Sequence, residues 1–178
     1  MENSYLESMN GQCPTKPPCE IYCHSLTDPS ILSPALQNSG YHTLTLFGLD
    51  MPHRLFTDEP EEQRNLATQR YLDAINQHLA EPIQDCLAMD AGGKPCLSAM
   101  SAMDLEEHLR LPKGHIFHGD LSWPFTDVEE EIGRWGVETQ HQRVLVCGSS
   151  AKRGGAVSGL PGHNAAMCLL ERLGRSWA

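Results

Sequence analysis

A glycine-rich bend late in the sequence has the residue types and spacing that could do chemistry. The stretch from Val144 to Leu173 reads as a short apolar strand, a bend rich in glycine and then a helix. Gly148 directly follows the apolar run, where a side chain would obstruct a ligand lying across the end of the strand. Gly154 and Gly155 permit positive φ and a close approach of the backbone. Because the following N–H groups and the helix start favour an anionic or acceptor-rich group, the bend has the chemistry of a cofactor site.

The same small residues could instead serve close packing of the helix against a sheet. Small residues recur four, three and four positions apart and predict one smooth face. Its apolar flank is predicted to be formed by Ala165, Leu169, Leu170 and Leu173. Spacing alone gives the cofactor and packing interpretations equal weight. The small residues are Gly155, Gly159, Gly162 and Ala166.

Two familiar phosphate-binding motifs are excluded at this bend. A P-loop requires Gly-Lys followed by Ser or Thr, whereas this sequence has Lys152, Arg153 and Gly154. The dinucleotide fingerprint requires G-x-G-x-x-G at the start of a βαβ unit, with an acidic residue about 20 positions further on. The sequence ends before that position, so most of the ligand's site is expected to come from elsewhere.

Composition narrows the class of partner. The 178 residues include 23 acidic and 13 basic side chains, a formal net charge of −10, which argues against nucleic acid as a partner. No stretch approaches the roughly 20 apolar residues of a membrane span. The first residues have neither the basic start nor the apolar core of a signal peptide. We therefore expect a cytoplasmic location.

The cysteines do not predict a disulfide framework or a metal site. There are seven, an odd number, at scattered positions. Cys13, Cys19, Cys23 and His24 lie close in sequence but lack the paired ligand spacing of a zinc site. Since Cys19 and Cys23 lie in an alternating segment, reduced cysteines that pack on one face are favoured, and no metal ligand is assigned.

Hydrophobic periodicity predicts the elements that must position the bend. Residues 17–26 and 41–49 alternate as half-buried strands, which are expected to pair antiparallel. Residues 57–82 predict a helix capped by Thr57 or Asp58 and ended by Pro82. A shorter helix is predicted over 101–109, with Ser101 and Asp104 spaced as a capping box. The final strand is predicted over 143–147.

Two separated motifs in this order resemble one known family. The segments "LPKGHIFHGDLSWPF" and "RVLVCGSSAKRGGAVSGLPGHNAAM" are similar to the C-terminal part of the phytoene dehydrogenase-like FAD-dependent oxidoreductases, within the amine-oxidase-like flavoproteins. The resemblance extends over about residues 17–173.

The resemblance implies an α+β fold with a mixed or antiparallel substrate-domain sheet and helices. A C-terminal strand and helix would complete an FAD domain of dinucleotide type. The implied organisation is a loose N-terminal lead-in over 1–16, a substrate-domain-like region over 17–136 and an FAD-domain-completing segment over 137–178.

The resemblance also implies which residues face FAD. Gly148 and Ser149 would lie near the ribityl-pyrophosphate stretch. Backbone N–H groups at the helix start would lie by the pyrimidine edge of the flavin, where a reduced flavin gathers negative charge. Ser149 and the Lys152-Arg153 pair depart from the family pattern. The residues that the resemblance places by the pyrimidine edge are Gly154, Gly155, Ala156 and Val157.

The implied function is part of an oxidoreductase that transfers hydride from an unidentified small organic substrate to FAD. No catalytic residue is assigned, because this transfer is mostly cofactor chemistry. Without the front half of the family's fold, the chain alone is expected to bind FAD weakly or not at all and to be inactive. The implied partner is a protein that carries the N-terminal FAD-binding half, or a second copy through self-association. The alternatives are a non-catalytic interaction module and a truncated remnant without FAD.

Overall fold

The structure is a computed structural model that describes residues 2–119, 126, 128–154 and 156–175. Within those residues it has five α-helices and one two-stranded antiparallel sheet, which confirms the predicted α+β class. The elements in chain order are α1 (Glu2–Met9), β1 (Cys19–Tyr22), α2 (Pro34–Asn38), β2 (Thr45–Gly48), α3 (Pro60–Asn76), α4 (Ala102–Leu109) and α5 (Leu160–Arg172).

The chain divides into two compact units, residues 1–104 and 105–178. The predicted organisation over 1–16, 17–136 and 137–178 stays a prediction. Among the described residues, none of the helices combines the length and apolar composition needed for a membrane crossing.

The sheet of the first unit confirms the predicted antiparallel pairing. Strands β1 and β2 pair with Cys19 opposite Gly48 and Tyr22 opposite Thr45. Both strands are shorter than the alternating segments that predicted them. The hydroxyl of Tyr71 donates to the carbonyl of Leu49 at 3.3 Å, and its ring lies where a Cβ on Gly48 would be. Burial raises the pKa of this phenol well above its usual range.

Residues 1–16, predicted as a loose lead-in, contain helix α1. Ser4 Oγ donates to the carboxylate of Asp50 at 2.9 Å, and the Arg54 guanidinium donates to the carbonyl of Ser8 at 2.8 Å. Both serines are buried. These polar contacts stabilise helix α1 against the rest of the first unit. The helix was not predicted because its sequence has little apolar periodicity.

Helix α3 is confirmed, but its predicted cap is wrong. The N-cap is Glu59, without a side-chain cap hydrogen bond. The Thr57 hydroxyl instead donates to the carbonyl of Arg54 at 3.1 Å, so it is unavailable to the helix. Pro60 occupies the first helical position, where its missing N–H costs nothing. The helix packs Ala67 against the buried Leu55 and Phe56.

The capping box of α4 is confirmed in detail. The Asp104 carboxylate accepts the Ser101 N–H and the Ser101 hydroxyl, each at 2.7 Å. Ser101 Oγ in turn accepts the Asp104 N–H at 3.3 Å. This reciprocal pattern satisfies donors that a helix start leaves unpaired.

The second unit has a small core formed by α5 and the segments before it. Its buried members are Val137, Ala151, Ala165 and Cys168, with Leu145 and Val146 packed against them. In place of the strand predicted over 143–147, this run has a single antiparallel bridge, between Leu145 and Glu138. The apolar run is therefore a packing segment that forms no ladder with a described neighbour.

Candidate cofactor-binding site

Three backbone hydrogen bonds position the bend between the apolar run and α5. The N–H of Val146 donates to Val137, and the N–H of Lys152 donates to Gly136, both at 2.8 Å. The N–H of Ala151 donates to the carbonyl of Gly148 at 2.9 Å and closes a turn. The bend thus begins at Gly148, as the sequence predicts.

The surface at the start of the bend and at the start of α5 is formed by glycines, which have no side chains. A Cβ on Gly148 or on Gly159 would meet no atom within 4 Å, and one on Gly162 would meet only the Cys147 carbonyl at 4.0 Å. Packing inside the chain therefore does not explain these three glycines. A flat group from outside could approach the backbone closely at Gly148 and Gly162, and we call the surface at these two residues the glycine surface.

Gly154 has a different role. Its φ is +69°, and a Cβ there would collide with the side chain of Leu160. The space above Gly154 is thus filled by the chain itself, which explains this glycine by packing. Its predicted contact with FAD stays a prediction and gains no support from this geometry.

The remaining predicted residues lie along the outer part of the bend. Ser149 Oγ donates to the carbonyl of Ala156 at 3.2 Å, and Ala156 has a positive φ of 60°. Val157 is 101% exposed at the tip. Gly155 lies outside the described residues.

The two cations of the bend make contacts within their own unit. Arg153 donates to the carbonyl of Arg134 at 2.6 Å and to that of Glu131 at 2.8 Å. Lys152 forms an ion pair with the Glu131 carboxylate. These contacts compete with any role of the cations in binding a phosphate.

The N-cap residue of helix α5 has no side chain. It is Gly159, with φ 76° and no side-chain cap hydrogen bond. The preceding Ser158 Oγ accepts the N–H of Leu160 at 3.4 Å, and Pro161 lies in the first turn. The positive end of the helix dipole therefore has only this long hydrogen bond from a side-chain oxygen.

The buried face of α5 differs from the predicted one. Of the predicted flank, Ala165 is buried as expected, whereas Leu169 is 50% exposed, and Cys168, which was not predicted there, is buried. Helix α5 begins at Leu160, so within it the predicted smooth face is limited to Gly162 and Ala166. The difference arises because the helix begins later than the small-residue pattern implies.

Sequence reasoning missed Glu138, which orders the segment beneath the bend. Its carboxylate accepts the N–H of Trp135 at 3.1 Å and that of Val137 at 3.0 Å. Burial acts to raise the pKa of Glu138, but the backbone N–H groups outweigh it and hold the pKa below its ordinary value. An acidic residue just after Trp-Gly-Val carries no periodic signal that could have revealed this role.

All seven cysteines are free. Among the described residues, no group of three or more His, Cys, Asp or Glu side chains is placed to hold a metal ion.

Comparisons with known proteins show that the chain is similar to part of several longer proteins. It is 49% identical over 177 residues to an uncharacterized protein of Mycobacterium tuberculosis, a match that covers 97% of this chain and 33% of the relative. It is 30% identical over 171 residues to the mouse pyridine nucleotide-disulfide oxidoreductase domain-containing protein 2, covering 94% of this chain and 27% of that protein. The rat protein of the same name is 28% identical over 171 residues.

The chain spans about a third of the length of the curated relatives it matches. Its similarity to the two rodent proteins relates it to proteins named for an oxidoreductase domain. No family model matches the chain, and no solved structure matches it with significance.

Proposed function

We propose that the chain is the C-terminal part of an FAD-dependent, phytoene dehydrogenase-like oxidoreductase. When bound, FAD would accept a hydride from an unidentified small organic substrate. The chain's contribution is to hold the cofactor at the bend and at the start of α5. It is expected to be inactive without a protein that supplies the rest of the cofactor site.

The glycine surface at Gly148 and Gly162 is the observation that carries this proposal. It lies at the start of a helix whose N-cap residue has no side chain, so the Gly162 N–H and the helix dipole favour an electron-rich group there. Gly148, Ser149 and the 154–157 segment would hold the cofactor. The fit is best at Gly148 and weakest at Gly154, which Leu160 already covers.

The relatives and the exposed apolar side chains support a partner for this unit. The chain matches only 33% of the Mycobacterium tuberculosis relative, and the rodent proteins of similar coverage are named for an oxidoreductase domain. Around the bend, Val157 is 101% exposed and Leu160 is 48% exposed. Apolar surface of this kind is typical of an interface. The partner would be a separate protein that carries the N-terminal FAD-binding half, or a second copy of the chain.

The test combines the chain with the unmatched part of the Mycobacterium tuberculosis relative, produced as a separate protein. The pair is incubated with FAD and passed through gel filtration, and flavin absorbance in the protein peak is measured. We expect the pair to retain FAD, whereas the chain alone retains little. The variant Gly162→Ala is expected to lower retention, because its methyl group would lie on the glycine surface.

Stability separates this effect from unfolding. Gly162→Ala replaces a glycine inside a helix, so the free energy of unfolding is expected to stay the same or rise by up to about 1 kcal/mol. Reduced FAD retention with undiminished stability would support the glycine surface as a cofactor site. Equal FAD retention by the parent and by Gly162→Ala would contradict a cofactor site at the glycine surface. Failure of the pair to retain any FAD would favour the alternative, a non-catalytic interaction module in which the glycines serve packing.

A further inference from the structure

Three side chains beside the sheet form a hydrogen-bonded row of thiol, hydroxyl and imidazole. The Cys23 Sγ lies 3.8 Å from the Ser25 Oγ, and that Oγ lies 3.1 Å from Nδ1 of His42. Cys23 directly follows β1 and His42 shortly precedes β2, so the antiparallel pairing of the strands brings the two ends of the row together. We call these three residues the Cys23 row.

Ser25 at the centre of the Cys23 row is held by the backbone. Its Oγ accepts the Thr43 N–H at 2.9 Å, and its own N–H donates to Thr43 Oγ1 at 3.3 Å. The residue is 2% exposed. Water therefore has little access to this hydroxyl, and its position between the thiol and the imidazole is fixed.

The polar groups of the Cys23 row all have hydrogen-bond partners in each of two protonation states. In the first, the Cys23 thiol donates to Ser25 Oγ, and the hydroxyl donates to the lone pair of His42 Nδ1. In the second, protonated Nδ1 donates to Ser25 Oγ, and the hydroxyl donates to a Cys23 thiolate. In both, the serine oxygen accepts two hydrogen bonds, counting that from Thr43, and donates one. A proton can thus pass from Sγ to Nδ1 without leaving a polar group unpaired.

We propose that Cys23 is a modification site that reacts as a thiolate with small disulfides. Ser25 and His42 are the positioning residues that take up its proton. The thiolate attacks one sulfur of the disulfide, so a new S–S bond forms and the original S–S bond breaks. The departing thiolate takes a proton from His42 or from water. Cys23 is oxidised and the departing half of the disulfide is reduced, so no further oxidant is needed.

The surroundings of the row allow this reaction. Cys23 is partly exposed and His42 is exposed, so a small disulfide and solvent can reach the two ends. Among the neighbouring titratable groups, the His24 ring stacks on Tyr22 with centroids 5.8 Å apart, and the Tyr22 hydroxyl donates to Glu20. Stacking leaves the His24 nitrogens able to accept a proton, but the hydrogen bonds of the row connect the thiol to His42.

The experiment exposes the full chain to oxidised glutathione at pH 7 for short times and stops the reaction with acid. Peptide mass spectrometry then measures the mixed disulfide at each cysteine. Cys96 is exposed and serves as the internal control. Cys86 is also exposed but is a poor rate control, because desolvation and the neighbouring Glu81 and Asp85 raise its pKa. We expect Cys23 to react about tenfold faster than Cys96 despite its lower exposure, because Ser25 and His42 can take up the thiol proton.

The variant His42→Gln tests the row directly. This side chain is on the surface, and the variant is expected to keep the circular dichroism spectrum of the parent. It should slow Cys23 about tenfold at pH 7 and leave Cys96 unchanged. Its rate at Cys23 should also level off at a higher pH than in the parent, which a purely structural role of His42 would not produce.

Ser25→Ala should slow the reaction of Cys23 as His42→Gln does, since it removes the hydroxyl that links the thiol to the imidazole. If this variant unfolds, the comparison of the parent with His42→Gln decides alone. The proposal is overturned if Cys23 reacts no faster than Cys96, or if His42→Gln changes neither its rate nor its pH profile.

Discussion

Helices α4 and α5 begin in opposite ways. At α4, Ser101 and Asp104 are joined by three hydrogen bonds of 2.7 to 3.3 Å, two of which satisfy each other's backbone N–H groups. At α5, the N-cap is Gly159, with a left-handed φ and no side-chain cap. A start closed by its own side chains is complete within the chain. A start without a cap from its N-cap residue leaves backbone N–H groups that can bind an anionic group from outside.

The two starts also depend on different energies. The capping box stabilises α4 locally, by about 1 kcal/mol for a typical cap. Helix α5 depends on its contacts instead, with Ala165 and Cys168 in a small core and Leu160 against Gly154. Substitutions at the two starts should therefore differ in size and in mechanism.

The largest effect is expected from Gly154→Ala. The new methyl group would require a left-handed φ in a non-glycine residue and would collide with Leu160. We expect a loss of about 2–4 kcal/mol in the free energy of unfolding, measured by chemical denaturation. The matched control is Gly148→Ala, whose methyl group meets no atom within 4 Å and should change stability by less than about 0.5 kcal/mol. Equal losses in the two variants would contradict the assignment of Gly154 to packing.

The next effect in size is at the α4 cap. Ser101→Ala removes one acceptor and one donor of the capping box and should cost about 1 kcal/mol. The same change at Ser158 should cost less, because its oxygen accepts the Leu160 N–H only at 3.4 Å, although its hydroxyl also donates to the Gly154 carbonyl. Denaturation of both variants checks the order. A larger loss for Ser158→Ala would mean that these two hydrogen bonds together stabilise the bend and α5 more than the capping box stabilises α4.

Acid should weaken α4 through Asp104. Burial acts to raise the pKa of Asp104, but hydrogen bonds from Ser101 and the neighbouring Arg64 outweigh it and hold the pKa below its ordinary value of 3.8. A carboxyl whose pKa is lowered by folding stabilises the fold above its ordinary pKa, and this stability is lost as pH falls through the folded value.

Denaturation from pH 6 down to pH 2 tests this dependence. The parent should lose stability below about pH 4. Asp104→Asn should be less stable than the parent at pH 6 and should lose less on acidification. Parallel curves for the two proteins would exclude Asp104 as a source of the acid sensitivity.

The comparison also shows what the sequence could predict. The Ser101–Asp104 box was predictable because both partners lie within one turn and have the residue types that caps require. The antiparallel pair was predictable from alternation, which reports local burial. Contacts that join distant positions gave no such signal: the Arg54 guanidinium donates to the Ser8 carbonyl, and the Tyr71 ring covers Gly48.

At the candidate site, the glycines marked the bend but not their individual roles. Gly148 and Gly154 are equivalent in a sequence pattern, and only the atoms around each glycine distinguish open surface from packing. The start of α5 was misplaced for a related reason. Small residues continue the helical spacing before the helix begins, because spacing does not report backbone φ.

The smallest effect is expected from the side chain that the sequence placed in the packing flank of α5. Leu169 is 50% exposed, so Leu169→Ala should cost less than about 1 kcal/mol. Cys168→Ala deletes only one heavy atom, but the thiol is 3% exposed in the core, and we expect a loss of about 1 kcal/mol. The smaller deletion should thus have the larger effect, because the cost follows burial rather than the number of atoms removed. Denaturation of both variants under the same conditions provides the order. If Leu169→Ala were the more destabilising, that leucine would be buried in solution, and a second chain or a partner covering this face of α5 would have to be identified by repeating the measurement over a range of protein concentrations.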